Sequence, residues 1–181
     1  MKENIEHIFF KDINSSMLSY IKKENPSYIF NASGFILRND LILIPQCGVL
    51  NFHCAPLPEY RGAANYFWMI LDDIEYAYGT LHYVDRGLDT GEIISFSNKV
   101  SIHEASSVFD LWFKIRTEAY NTFEPFIDYL KAGVMIPSFP QESKHAKVHS
   151  FPSKQDLKVL HYPVFTFSDI LKIVVFSLKQ E

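Results

Sequence analysis

Apolar positions in this chain alternate between two spacings. Tyr28-Ile-Phe-Asn-Ala-Ser, Val49 to His53, Ala77 to Val84 and Glu92 to Val100 are short runs rich in β-branched and aromatic residues, which predicts buried strands. Ile8-Phe-Phe10 reads as a further short strand. Between these runs the spacing lengthens. Residues 14–24 put Met17, Leu18 and Ile21 on one helical face, and Pro26 stops them. Residues 39–45 predict a short link, helical or extended. Ala63 to Asp73 is apolar almost all round, as a buried helix would be. From 104 to about 130, Val108, Trp112, Ile115, Ala119 and Phe123 recur at helical spacing. Ser101 with Glu104 fits a capping box for that helix, Pro125 predicts a kink, and Gly133 marks its end. Ser153 is placed to cap a short helix, and Phe167-Ser-Asp169 to cap a terminal one. Ala55 to Gly62, with two prolines, and Asp85 to Gly91, with two glycines, read as loops. Strands alternating with helices predict an α/β fold with a largely parallel sheet.

Composition narrows the class. A chain of 181 residues with 48% hydrophobic and 21% charged residues can bury one sizeable core, and that balance argues against disorder. The formal charge of −4 has no basic cluster beside it, which argues against a nucleic-acid partner. Cys47 and Cys54 lack metal-ligand spacing, so no metal site and reduced thiols in the cytoplasm are expected. Met1 to His7 is not a signal peptide, and Ile170 to Leu178 is too short and too charged to span a membrane. The abundant Phe and Tyr, including Tyr66-Phe67-Trp68, are expected in the core.

Candidate chemistry gathers at two run ends. Asn51 and His53 stand at i and i+2 of one strand, so they point to one side. Asp89 follows in the loop Leu88-Asp-Thr-Gly91. In α/β sheets the carboxyl ends of strands are where ligands bind. An amide and a protonated imidazole can donate hydrogen bonds to the oxyanion of an acyl transfer, and a carboxylate can accept the amine's proton. Each element also has a local role, Asn-x-His as a cap and Leu-Asp-Thr-Gly as a turn. No serine or cysteine nucleophile is evident, since Cys54 faces away from its neighbour His53. His82 is expected to be a structural histidine, and His103, His145, His149 and His161 to face solvent.

Three stretches resemble the formyltransferase family that uses 10-formyltetrahydrofolate. They are Pro26 to Leu37, Gly48-Val-Leu-Asn-Phe-His-Cys-Ala-Pro-Leu-Pro-Glu-Tyr-Arg-Gly62, and Gly79-Thr-Leu-His-Tyr-Val-Asp-Arg-Gly-Leu-Asp-Thr-Gly91 with Glu92-Ile-Ile94. The resemblance covers about residues 26–133, with a weaker likeness at Ser150 to Leu157. It implies a Rossmann-like formyltransferase sheet with flanking helices, lacking the family's first βαβ segment and its glycine turn. Residues 1–133 would form the catalytic domain and 134–181 a C-terminal extension. It implies that Asn51, His53 and Asp89 are the catalytic triad. Phe35, Ile36 and Leu37 would line the folate pocket, and Tyr83, Val84 and Asp85 would meet the pterin through backbone groups. The co-substrate would be 10-formyltetrahydrofolate.

The acceptor implied is a small-molecule primary amine. The family includes glycinamide ribonucleotide, methionyl-tRNA and nucleotide-amino-sugar enzymes. Tyr60-Arg-Gly62, Asn65-Tyr-Phe-Trp68 and Ser150-Phe-Pro-Ser-Lys154 look most like the sugar-modifying members of surface-polysaccharide synthesis. The acidic balance, with no basic domain after it, argues against tRNA. A glycinamide-ribonucleotide enzyme and a truncated, non-catalytic member remain the alternatives. The Phe-rich tail would cover a sheet edge or form a homodimer contact.

Overall fold

A computed structural model describes residues 8, 15–32, 36–164 and 166. The expected strand at 8–10 (Ile8 apart), Phe35 and the expected terminal helix from 168 lie outside the described residues. The elements in order are α1 (Ser15–Glu24), β1 (Tyr28–Asn31), α2 (Asn39–Ile42), β2 (Gly48–His53), β3 (Arg61–Gly62) and α3 (Asn65–Leu71). Then follow β4 (Tyr76–Ala77), β5 (Thr80–Tyr83), β6 (Ile93–Phe96), β7 (Val100–Ser101), α4 (Val108–Thr117) and α5 (Ala119–Phe123). After a 3-10 turn at Glu124–Phe126 come α6 (Ile127–Ala132), β8 (Val148–His149) and α7 (Lys154–Val159).

The main sheet has the order β1-β2-β5-β6. It is mixed rather than largely parallel: β1 and β2 run parallel, whereas β2/β5 and β5/β6 are antiparallel. Apolar periodicity reports which face is buried and is blind to strand direction. The expected strand over 77–84 divides at Tyr78-Gly79. A Cβ on Gly79 would lie 2.2 Å from the Phe52 ring, so the backbone passes flat against that ring. Strand 92–100 likewise divides into β6 and β7, and β7 pairs antiparallel with β4.

Alternation along β2 decides which chemistry goes where. Leu50 and Phe52 enter the core with Leu81, Leu111 and Ile115. Each such side chain contributes about 1.5–3 kcal/mol by leaving water. Asn51 and His53 turn to the opposite side. The long helix begins later than the Ser101/Glu104 pattern implies, because Ser101 is taken up opposite Tyr76 in β7. Ser107 caps α4 instead, its Oγ accepting from Asp110 N at 2.9 Å. The kink expected at Pro125 is the 3-10 turn, and Gly133 ends α6 at a φ of 63°.

The chain after Gly133 packs closely on the sheet. Ile136 is buried, and its N–H is shared by the hydroxyls of Tyr28 at 3.0 Å and Tyr83 at 2.9 Å. Phe139 exchanges two backbone hydrogen bonds with Ile93, at 2.8 and 2.9 Å. β8 pairs parallel with β3. Ser153 caps α7 in a full capping box with Asp156. Further on, the carbonyls of Pro163 and Val164 accept from Val108 N at 2.9 Å and Phe109 N at 3.1 Å. No helix among the described residues is long and apolar enough to cross a membrane.

Candidate active site

Asn51, His53 and Asp89 meet on one wall of a cavity of about 700 Å³. That volume falls within the range of small-molecule sites. His53, at the end of β2, is held from behind: its Nε2 lies 2.6 Å from the carbonyl of Tyr60 and so carries the hydrogen donated to it. The loop supplying that carbonyl is fixed in turn. Tyr60 N donates to Pro56 O at 2.9 Å, and Thr80 Oγ1 accepts from Leu57 N at 3.2 Å while donating to Ala55 O at 2.8 Å. With Nε2 committed, His53 turns Nδ1 toward the Asp89 carboxylate, 3.7 Å away.

Asp89 sits in the left-handed region at a φ of 51°, a conformation that Asp tolerates better than most residues. The Gly62 N–H donates to its Oδ2 at 2.8 Å, which aims the carboxylate back at the imidazole. Asp85 braces the start of the same loop by accepting from Gly87 N at 3.0 Å and Thr90 Oγ1 at 2.6 Å.

His82 departs from the expected structural role in one respect: it faces the site. Its Nδ1 donates to the Tyr83 carbonyl at 2.7 Å, so Nε2 is left as an acceptor for Asn51 Nδ2 at 3.1 Å. Asn51 thus spends one amide hydrogen on His82 and keeps the other. Burial pushes the His82 imidazole down to about 4; the His53 ring adds to this and Asp89 opposes it. The folded protein therefore refuses a proton that the unfolded chain takes up near pH 6.5, and stability falls as the pH drops from there toward about 4. This is on the order of 2–3 kcal/mol. Melting curves across that window should fall less steeply for His82→Gln than for the native chain.

Of the residues expected to meet folate, Ile36, Leu37, Val84 and Asp85 line the cavity. Ile36 is 83% exposed, an apolar side chain held out in the open site. Tyr83 is directed away, its hydroxyl donating to Ile136 O at 3.0 Å and its N–H to Glu92 O at 2.9 Å. Phe35 lies outside the described residues.

Three further groups at the site are not among the site residues expected from the sequence. Asn65, buried at the start of α3, puts its Nδ2 2.9 Å from the Gly62 carbonyl and 3.0 Å from His53 Nε2. Arg116, on the last turn of α4, lines the cavity beside Cys54, whose thiol burial pushes up while the guanidinium opposes that shift. Gln141 reaches in from the tail to the Asp89 loop. His149 is half-buried rather than solvent-facing, because β8 draws it against β3 and its ring stacks on Tyr60 at 5.2 Å. Among the described residues no group of His, Cys, Asp and Glu is arranged to hold a metal ion.

Known proteins share this arrangement of sequence and fold. The methionyl-tRNA formyltransferase of Caldanaerobacter subterraneus subsp. tengcongensis is 31% identical over 125 residues, which are 68% of this chain and 40% of that protein. The chain thus spans about 40% of the length of the curated relatives it matches first. The formyltransferase PseJ from Anoxybacillus kamchatkensis, solved with UDP-4,6-dideoxy-4-formamido-L-AltNAc and tetrahydrofolate, superposes with a TM-score of 0.61 at 26% identity, covering 76% of this chain and 72% of that one. The N-formyltransferase from Helicobacter canadensis, in complex with folinic acid and dTDP-3-aminofucose, superposes with a TM-score of 0.51 at 27% identity over 59% of this chain and 38% of that one. The formyl transferase family model matches residues 10–125, well over half of the sequence, and the chain belongs to that family.

Proposed function

We propose that this protein transfers a formyl group from 10-formyltetrahydrofolate to a primary amine, that of a nucleotide-linked amino sugar. The observation that carries this reading is the convergence of Asn51, His53 and Asp89 on a cavity also walled by the apolar Ile36, Leu37 and Val84. A flat pterin suits such a wall, and the bound donor supplies an activated formyl carbon. As the amine attacks, the free Asn51 amide hydrogen and a protonated His53 Nδ1 donate to the developing oxyanion. Asp89, 3.7 Å from that imidazole, takes the proton that the amine loses; collapse of the tetrahedral intermediate then breaks the bond from the formyl carbon to the folate N10, which takes up a proton and leaves as tetrahydrofolate. By this reading residues 1–133 hold the reacting groups, 134–181 are an extension that adds to the lining of the cavity, and the reaction belongs in the cytoplasm.

The amino-sugar acceptor draws support from the nucleotide sugars bound to the two solved neighbours. Arg116 and Arg86, both lining the cavity, suit the phosphates of such a molecule. Methionyl-tRNA is the second reading, favoured by the curated relatives, which are methionyl-tRNA formyltransferases. Incubation with 10-formyltetrahydrofolate and a panel of nucleotide amino sugars, glycinamide ribonucleotide and methionyl-tRNA separates them by mass spectrometry. Formylation of an amino sugar is the expected result. Formylation of methionyl-tRNA alone overturns the acceptor assignment. Folinic acid binding with no formylated product from any acceptor would make the chain a binding module.

A further inference from the structure

The tail contributes one side chain to the machinery around Asp89. Gln141 accepts at Oε1 from Arg61 Nε at 3.1 Å and Arg61 Nη2 at 2.7 Å. Its Nε2 donates to the carbonyls of Asp89 at 2.9 Å and Gly91 at 2.7 Å. A primary amide has two acceptor sites and two N–H donors, and here every one is used. The orientation of the amide is therefore fixed by its partners: the oxygen must face the guanidinium and the nitrogen the two carbonyls.

These contacts fall beside both ends of one hydrogen bond. Gly62 N–H holds the Asp89 carboxylate at 2.8 Å, and Arg61 is the residue before Gly62. Gln141 grips Arg61 on one side and the Asp89 main chain on the other, closing a ring around that bond. Asp89 needs such a hold. A non-glycine residue at a φ of 51° persists where its surroundings over-determine it. Docking of the tail does not depend on Gln141. Phe139 is bound to Ile93, Arg61 N donates to Lys147 O at 3.0 Å, and Ala63 N donates to His149 O at 2.9 Å. Loss of the amide therefore releases the Asp89 loop and leaves the tail in place.

We propose that Gln141 is the positioning residue that fixes Asp89 against His53, bringing the segment after Gly133 into the active site. The inference rests on the reading of His53 and Asp89 as working partners. Its test compares Gln141→Ala, Gln141→Glu and Asp89→Asn by the side-chain nitrogen resonances of His53, by calorimetry with folinic acid, and by thermal melting. Glutamate keeps the acceptor for Arg61 and cannot donate to the two carbonyls. It therefore separates a hold on the loop from a simple strap to Arg61.

The expected result is that both Gln141 variants stay folded, move the His53 resonances in the direction set by Asp89→Asn, and weaken folinic acid binding by roughly three- to tenfold. Native-like resonances and binding in Gln141→Glu, with or without a change in Gln141→Ala, overturn the proposal. His53 resonances that do not move in Asp89→Asn break the pairing of His53 with Asp89 itself, a failure visible before either Gln141 variant is compared.

Discussion

Asp89→Asn should lower formyl transfer by about 10²–10⁴-fold while folinic acid still binds within a few fold of the native affinity. An asparagine oxygen can keep the Gly62 N–H bond that holds the carboxylate at 2.8 Å, so the loop retains its shape. What disappears is the base: a neutral amide takes no proton from the attacking amine. His53→Ala removes an oxyanion donor instead, at a cost of about 2.7–4 kcal/mol in the transition state, and should reduce kcat rather than raise KM. Steady-state rates with the acceptor found by mass spectrometry, set beside calorimetry, check both. Substantial turnover in Asp89→Asn would remove Asp89 from the proton's path. A change confined to KM in His53→Ala would make that residue a binding group.

Gly91→Ala should be among the most damaging single-methyl changes in the chain. A Cβ there would stand 1.8 Å from the Tyr83 carbonyl oxygen, a backbone atom that cannot rotate aside. The same oxygen accepts from His82 Nδ1 at 2.7 Å, the bond that leaves Nε2 free to hold Asn51. Forcing the strands apart here costs about 1–3 kcal/mol by overpacking. It also unsettles His82, and through it Asn51. Urea denaturation should show the lost stability, and folinic acid affinity should fall with it because Val84 and Asp85 lie on the displaced segment. Native stability in Gly91→Ala would mean that the Glu92–Tyr83 pairing tolerates a backbone shift that the described geometry does not allow.

That Asn51, His53 and Asp89 come together was legible because the physics is local. Asn51 and His53 share a face by the two-residue period of a strand, and Asp89 sits where a glycine-flanked loop must turn. Ser153 and Gly133 were legible for the same reason, since a cap is decided within four residues. His82 was harder: expected as a structural histidine, it becomes a partner of Asn51 only through the Asn51↔His82 register between β2 and β5. Sheet direction was misread because a buried strand has the same composition whichever way it runs. The Ser101/Glu104 pattern was overridden by pairing with Tyr76, a tertiary contact that no window around residue 101 contains. Nothing in the sequence ties Asn65 to His53 or Gln141 to Asp89, since one polar residue among apolar ones, or in an irregular tail, has no period to betray its partner.

The carbonyls of Pro163 and Val164 reach the first amides of α4. A helix cannot satisfy its own leading N–H groups, so this distant stretch completes what the helix lacks. The two segments should therefore open together, and amide exchange at Val108 and Phe109 is expected to follow release of residues 163–164 rather than fraying of the helix. That helix also carries Arg116 to the cavity. If the tail and the helix open together, loosening residues 163–164 should also shift Arg116 in the cavity, with no direct contact between them.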